Sequence, residues 1–226
     1  MKLEEYMREI TLMRKQNYTE YDMYSVIASL MRERENIKKL SLRDVNRRQG
    51  HTKRGRIFYG LSSIPDLVIL DIEFVNSENW LDDFGNVYGC VEIKNCDAKL
   101  FSAKKILKQL EEMSRNLTSE EEQLLGEILW YKKVLYTNGL HWILFELKYN
   151  KNLWENIIRL VKNTIKKETE SPIGEVKLIK WYKNKEINLN QIEIVETEYA
   201  KLNEKSNQKD WEAFLEKLDS IAWENI

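Results

Sequence analysis

The chain is poor in the residues on which much enzyme chemistry rests. It has two histidines, His51 and His141, far apart in sequence, so nucleases that hold a metal through histidine and histidine-based acid–base schemes lack their parts. Its two cysteines, Cys90 and Cys96, are too few and wrongly spaced for a structural zinc site. On one extended strand they would share a face about 20 Å apart, too far for a disulfide between them. Two unpaired cysteines fit a reducing, cytoplasmic setting. No apolar run approaches a signal peptide or membrane span, and no glycine-rich phosphate loop of the Walker type is present, so ATP-driven translocation is not encoded. Lysine and arginine total 36 against 37 for aspartate and glutamate, which leaves no global basic excess to advertise nucleic acid. Internal repeats and low-complexity tracts are absent.

Charge is nevertheless unevenly spread. Residues 1–60 hold 14 basic and 8 acidic residues, net +6, leaving −7 for the remainder. Arg43, Arg47, Arg48, Lys53, Arg54 and Arg56 gather around Gln49-Gly50-His51-Thr52, which reads as a loop. A solvated basic loop is the commoner meaning of such a run. Its place just before two strand-like apolar segments favours contact with phosphates, and phosphate pairing dominates non-specific nucleic-acid affinity.

Those two short apolar segments carry the most chemistry. Leu67 to Leu70 is an unbroken apolar run and Val87 to Ile93 is rich in branched and aromatic residues, so both read as strands. The polar segment between them suits an antiparallel hairpin. Side chains alternate along a strand, so Glu92 and Lys94 point to one face and Val91 and Ile93 to the other, with Asp66 able to reach the same point. Burying ionised groups beside an apolar sheet costs several kcal/mol per ion unless they are paired or metal-bound. Mg²⁺ prefers oxygen ligands and is held by one or two carboxylates together with substrate phosphate oxygens. Lys94 beside it could orient or help deprotonate an attacking water and steady charge developing on phosphorus.

Glu-x-Lys alone is a weak signal, because Glu146-Leu147-Lys148 and Glu175-Val176-Lys177 also fit it. The discriminator is Pro65-Asp66: of the two prolines, Pro65 and Pro172, only Pro65 precedes an acid. The bland reading of Glu92 and Lys94 is an ion pair on an edge strand.

Pro65-Asp66 with Glu92-Ile93-Lys94 resembles the signature of the PD-(D/E)xK nuclease superfamily. The resemblance covers roughly residues 19 to 147. It implies an α/β protein with a restriction-endonuclease-like αβββαβ core, a mixed central sheet flanked by helices, and often a further glutamate from an N-terminal helix. Thr19-Glu20-Tyr21-Asp22 opens a helix with a capping-box pattern, and Met23, Ile27, Leu30 and Met31 form its apolar stripe. Glu20 falls on that stripe and Asp22 does not, which makes Glu20 the candidate for the extra ligand. A first-turn glutamate favoured by the helix dipole is an equal alternative. Some members add a glutamine from the helix behind the site. Gln109 and Gln123 both qualify, yet neither lies on the main stripe of its helix. Downstream, Asn138-Gly139 between two apolar runs signals a type I′ hairpin.

The expected organisation is a nuclease-like core with N-terminal helices over residues 1–150 and a mostly helical extension over 151–226, packed on the core or forming an interface. The extension holds one amphipathic helix through Leu153, Trp154, Ile157 and Val161, and another through Trp211, Phe214 and Leu218. A strand is expected over Val176 to Tyr182, and a polar linker over residues 203 to 209. A homodimer or partner surface on these helices is the sharper reading of their tryptophans.

The expected function is a Mg²⁺- or Mn²⁺-dependent endodeoxyribonuclease. Asp66, Glu92 and Lys94 would be catalytic. Asp66, Glu92, the Ile93 carbonyl and Glu20 would hold the metal. Arg47, Arg48, Lys53, Arg54 and Arg56 would contact nucleic acid. The alternatives are a catalytically silent nuclease-like binding module and an RNA endonuclease.

Overall fold

A computed structural model of the chain describes residues 1–16, 19–45, 56–59, 61, 63–76, 86–112, 116–148, 150–167, 178–189 and 192–224, with the side chains of 56 and 164–167 excepted. Among these residues six strands form one mixed, open sheet whose order follows the chain. They are β1 (Ser41–Asp44), β2 (Leu67–Leu70), β3 (Val87–Ile93), β4 (Lys133–Thr137), β5 (His141–Leu147) and β6 (Ile194–Lys201). Neighbours are antiparallel except β3 and β4, which run parallel. A parallel pair needs a crossover, and α5 (Ala103–Glu111) and α6 (Ser119–Tyr131) supply it.

Helices cover both faces of the sheet, so the central strands are apolar on both sides rather than alternating with polar residues. Val68, Cys90, Val134, Tyr136 and Phe145 face one apolar cluster, built with α5, α6, α7 (Lys151–Lys167) and α8 (Leu178–Lys183). Leu67, Ile69, Val91, Ile93 and Leu135 face the other, built with α1 (Leu3–Gln16), α2 (Glu20–Arg32), α3 (Glu35–Lys38) and α9 (Gln208–Asp219). A further short helix, α4 (Arg56–Tyr59), precedes β2. Helix α6 is enclosed nearly all round, with Leu124 to Tyr131 all buried. Its start is fixed by a capping box in which Thr118 and Glu121 exchange side-chain and backbone bonds at 3.2 and 2.9 Å.

Several expectations are corrected. The segment expected as a strand over Val176 to Tyr182 is, where described, the helix α8, whose Leu178 and Trp181 are buried. The extension also adds β6, which pairs with β5 from Ile194 to Lys201 and so belongs to the sheet. Its alternation is hard to read because Glu196, Glu198 and Lys201 interrupt the apolar residues of an edge strand. Gln208 and Lys209, expected in the linker, open α9, which Asn207 caps together with Asp210. The apolar stripes of α7 and α9 are buried within the chain through Ile157, Val161, Trp211 and Phe214.

Cys90 and Cys96 are free and lie in opposite clusters rather than on one face, because the strand ends at Ile93. Thr19 stands at the N-cap of α2 with extended backbone, but its side chain makes no cap bond, so the capping box is not formed. The β4–β5 hairpin exists, yet only Gly139 takes a positive φ, of 85°, whereas a type I′ turn needs two such residues. Asn138 instead uses its side-chain oxygen to accept from the Leu140 and His141 amides at 3.0 and 2.7 Å. Arg47, Arg48, Lys53, Arg54 and the side chain of Arg56 lie outside the described residues; Arg43 is exposed on β1.

Candidate active site

The β2–β3 register pairs Leu67 with Val91, and one step beyond that pair stand Asp66 and Glu92. The two residues are 3% and 2% exposed. Asp66 Oδ2 accepts from the Ile93 amide at 2.7 Å, which ties the end of one strand to the other. Lys94 follows the last residue of β3, and its amide donates to the Thr137 carbonyl at 2.7 Å, so the parallel strand β4 fixes its backbone. Its ammonium donates to Glu92 Oε1 at 2.7 Å.

Glu92 points toward α6. The Gln123 amide nitrogen donates to Glu92 Oε1 at 2.7 Å and to Glu127 Oε1 at 2.9 Å, spanning two carboxylates. Glu127 is 1% exposed. The second oxygens of Glu92 and Glu127 are buried and have no hydrogen-bond donor. Such orphaned atoms cost free energy unless a proton or cation answers them.

The electrostatics follow from this crowding. Burial, then Glu127 and Asp66, push the Glu92 carboxyl well above the ordinary range, against the pull of Lys94. Burial pushes Glu127 up to about 7, with Gln123 and Lys94 opposing. Burial works against the Lys94 ammonium, but Glu92 and Glu127 outweigh it and its pKa rises. Lys94 therefore stays charged at neutral pH, while burial and mutual repulsion favour the protonated forms of Glu92 and Glu127. A charged Lys94 can steady negative charge but cannot act as a base.

From the other face of the sheet, the first turns of α2 approach the same point. Glu20 is half-buried, and burial raises its carboxyl, with Lys94 lowering and Asp66 raising it further. Tyr24, one turn on, is hydrogen-bonded to Asp66, and burial together with that carboxylate pushes its phenol up. The structure thus gathers Asp66, Glu92, Lys94 and Glu20 at one end of the sheet. It adds Gln123, which sequence reading weighs without choosing, and Glu127 and Tyr24, which it misses. The signals were present: Glu20 and Tyr24, like Gln123 and Glu127, are spaced i, i+4 and share a helix face. Gln109 is only partly buried, and its side-chain oxygen has no partner.

Among the described residues, no group of three or more histidine, cysteine, aspartate or glutamate side chains is arranged to hold a metal ion. No helix among them is long and apolar enough to cross a membrane. Compared with family models, with curated proteins and with solved structures, the chain matches none.

Proposed function

We propose that this chain is a metal-dependent endonuclease that hydrolyses phosphodiester bonds, with DNA as its substrate. One observation carries the reading: Asp66 and Glu92, both almost fully buried, stand opposite one another where β2 begins and β3 ends, with Lys94 2.7 Å from Glu92. Several kcal/mol per ion oppose such burial, and well-packed apolar residues would stabilise the fold at least as well. With the short helices α3 and α4 and the crossover helix α5 set aside, the order α2, β1, β2, β3, α6, β4 is compatible with the αβββαβ order that the PD-(D/E)xK resemblance implies.

The donor set fits a hard divalent cation such as Mg²⁺ or Mn²⁺. It is all oxygen, and Glu92 retains a buried oxygen without a donor. Mg²⁺ keeps several waters and takes only one or two carboxylates from a protein, so it needs no three-member cluster. Asp66, Glu92 and the Ile93 carbonyl would hold it, with Glu20 at the mouth. When bound, the cation supplies Lewis acidity and lowers the pKa of water.

The residues themselves position and compensate charge. The Ile93 amide and Tyr24 fix Asp66, while Lys94 and Gln123 fix Glu92. The Lys94 ammonium steadies negative charge on the phosphoryl oxygens as a water oxygen bonds to phosphorus and the bond to the 3′ oxygen breaks. One water proton ends on the leaving 3′ oxygen and the other passes to solvent, giving a 3′-hydroxyl and a 5′-phosphate.

The test is plasmid cleavage with Mg²⁺ or Mn²⁺, comparing wild type with Asp66→Ala, Glu92→Ala and Lys94→Ala. A loss of ~10²-fold or more in each of the three variants supports the reading; equal activity in Lys94→Ala removes Lys94 from the mechanism. Competition between single-stranded RNA and duplex DNA decides between the two nucleic acids.

A second reading is a catalytically silent binding module. Its support is that the cluster compensates itself without a cation, through the Lys94–Glu92 pair and the raised carboxyls of Glu92 and Glu127. Calorimetric Mg²⁺ or Mn²⁺ binding that disappears in Asp66→Ala counts against it.

A further inference from the structure

Beside the candidate site, at the same end of the sheet, lies a pocket of about 330 Å³. Leu100, Phe101 and Ile143 form its apolar lining, and Ser102, His141, Glu196 and Glu198 its polar part, with Lys104 at the edge. The sheet joins it to the site. Thr137 of β4 pairs with Ile93 on one side and Trp142 on the other, so His141 starts β5 level with the end of β3. Tyr136, the register partner of Glu92, takes a hydrogen bond from the Phe101 backbone in the pocket wall. With β5 and β6 two and three strands from β3, at ~4.8 Å per strand, the pocket lies ~10–15 Å from Glu92.

Its polar groups are oriented. Ser102 donates its hydroxyl to Glu196 Oε2 at 2.8 Å, and His141 Nε2 meets Glu198 Oε2 at 2.7 Å. These contacts orient both carboxylates, Glu198 at the rim with 59% of its side chain exposed, and a carboxylate has about four acceptor positions, so each retains capacity for a ligand donor. The pocket is in the range of a small-ligand site: an apolar lining with a flat ring and a few convergent polar groups. The ligand it suits is planar and presents N–H donors at its edge. A nucleobase with an exocyclic amine has that form, because carboxylates accept from cytosine N4 and aromatic side chains stack on unpaired bases. Thymine and uracil carry a carbonyl where cytosine carries the amine.

We propose that this pocket seats an unpaired, amine-bearing nucleobase of the strand being cut, and so sets base preference near the cut. The inference rests on the nuclease reading for its strand and builds on the pocket's own chemistry for its base. At ~3.4 Å per stacked nucleotide, the seated base lies about three to four nucleotides from the cut phosphate.

The experiment needs no metal and no cleavage. Deoxycytidine, deoxyadenosine and thymidine are titrated in turn against the metal-free full chain, following the ring signals of His141 by NMR. His51 is the only other histidine, so His141→Gln assigns the signals. Saturable shifts with deoxycytidine and deoxyadenosine, and roughly tenfold weaker binding of thymidine, are expected. Glu196→Gln with Glu198→Gln, which place amide donors in the pocket, should erase the preference while circular dichroism stays unchanged. No response to any nucleoside overturns the inference, as does an equal response to thymidine. A response to argininamide as strong as to deoxycytidine overturns it too, by showing a general cation seat. Failure of plasmid cleavage would defeat the nuclease reading and leave an amine-selective titration standing. Cleavage without nucleoside binding would do the reverse.

Discussion

Gln123 on α6 donates to Glu92 on β3 at 2.7 Å, and through the same nitrogen to Glu127 at 2.9 Å. The amide is the neutral link between two buried carboxylates whose second oxygens have no donor. Gln123→Ala leaves both first oxygens with less compensation. Removing a hydrogen bond to a charged buried group costs ~1–3 kcal/mol, so the variant should unfold at lower urea with an unchanged slope. A stability equal to wild type would show that solvent enters and replaces the amide.

The raised carboxyl of Glu127 gives stability a pH signature. In the unfolded chain a glutamate titrates near 4.5, whereas burial holds Glu127 up to about 7 in the fold. Between these values the native state binds the extra proton, so stability falls as pH rises. The contribution is complete below pH 4.5 and is lost as pH climbs through about 7. This is opposite to a salt-bridged carboxylate. For one proton the slope reaches ~1.4 kcal/mol per pH unit. In metal-free protein, Glu127→Gln should flatten this part of the urea stability profile between about pH 4.5 and 7 and gain on wild type at its upper end. A profile parallel to wild type would rule Glu127 out as the proton holder.

Tyr24 acts through Asp66, to which it is hydrogen-bonded. Tyr24→Phe keeps the ring and deletes the donor, while the Ile93 amide still holds Asp66 Oδ2 at 2.7 Å. Cleavage should therefore fall about three- to tenfold, on the scale of one hydrogen bond of ~0.5–1.5 kcal/mol, rather than vanish. The loss should appear in the Mg²⁺ concentration needed for half-maximal rate. Abolished cleavage would place the phenol itself at the reacting phosphate.

What the sequence discloses about this site depends on how each residue is carried. Asp66, Glu92 and Lys94 are legible because short strands with period-two alternation set their directions, and because Pro65 marks one acid among many. Gln123 and Glu127 are harder to read because α6 is enclosed nearly all round, which blurs the stripe from which an inward face is inferred. Their significance depends on α6 packing across β3, a contact between segments remote in sequence. For Asn138-Gly139, local propensity gives the hairpin but the wrong turn, because the Asn138 side chain takes over bonds that backbone groups would otherwise make. The edge strand β6 is obscured by its two glutamates, Glu196 and Glu198, both of which line the pocket beside the site.

Gly89, in the middle of β3, marks where the end of the chain closes over the sheet. A Cβ there would lie 2.7 Å from Trp223 Cζ3 and 2.9 Å from the Lys133 carbonyl oxygen. The carbonyl belongs to β4, held by pairing with β5 from Lys133 to Thr137, so the indole is the part that must yield. Trp223 is 2% exposed, and the Lys133 ammonium is bonded to the Ala222 and Trp223 carbonyls. Gly89→Ala should therefore displace residues 221 to 223 and cost ~1–3 kcal/mol, the usual range for overpacking. The decisive measurement is a double-mutant cycle. In a Trp223→Ala background the glycine substitution should cost less by about 0.5 kcal/mol or more, because the clash partner is gone. Additive losses would mean that the strand backbone, not the indole, absorbs the added methyl group.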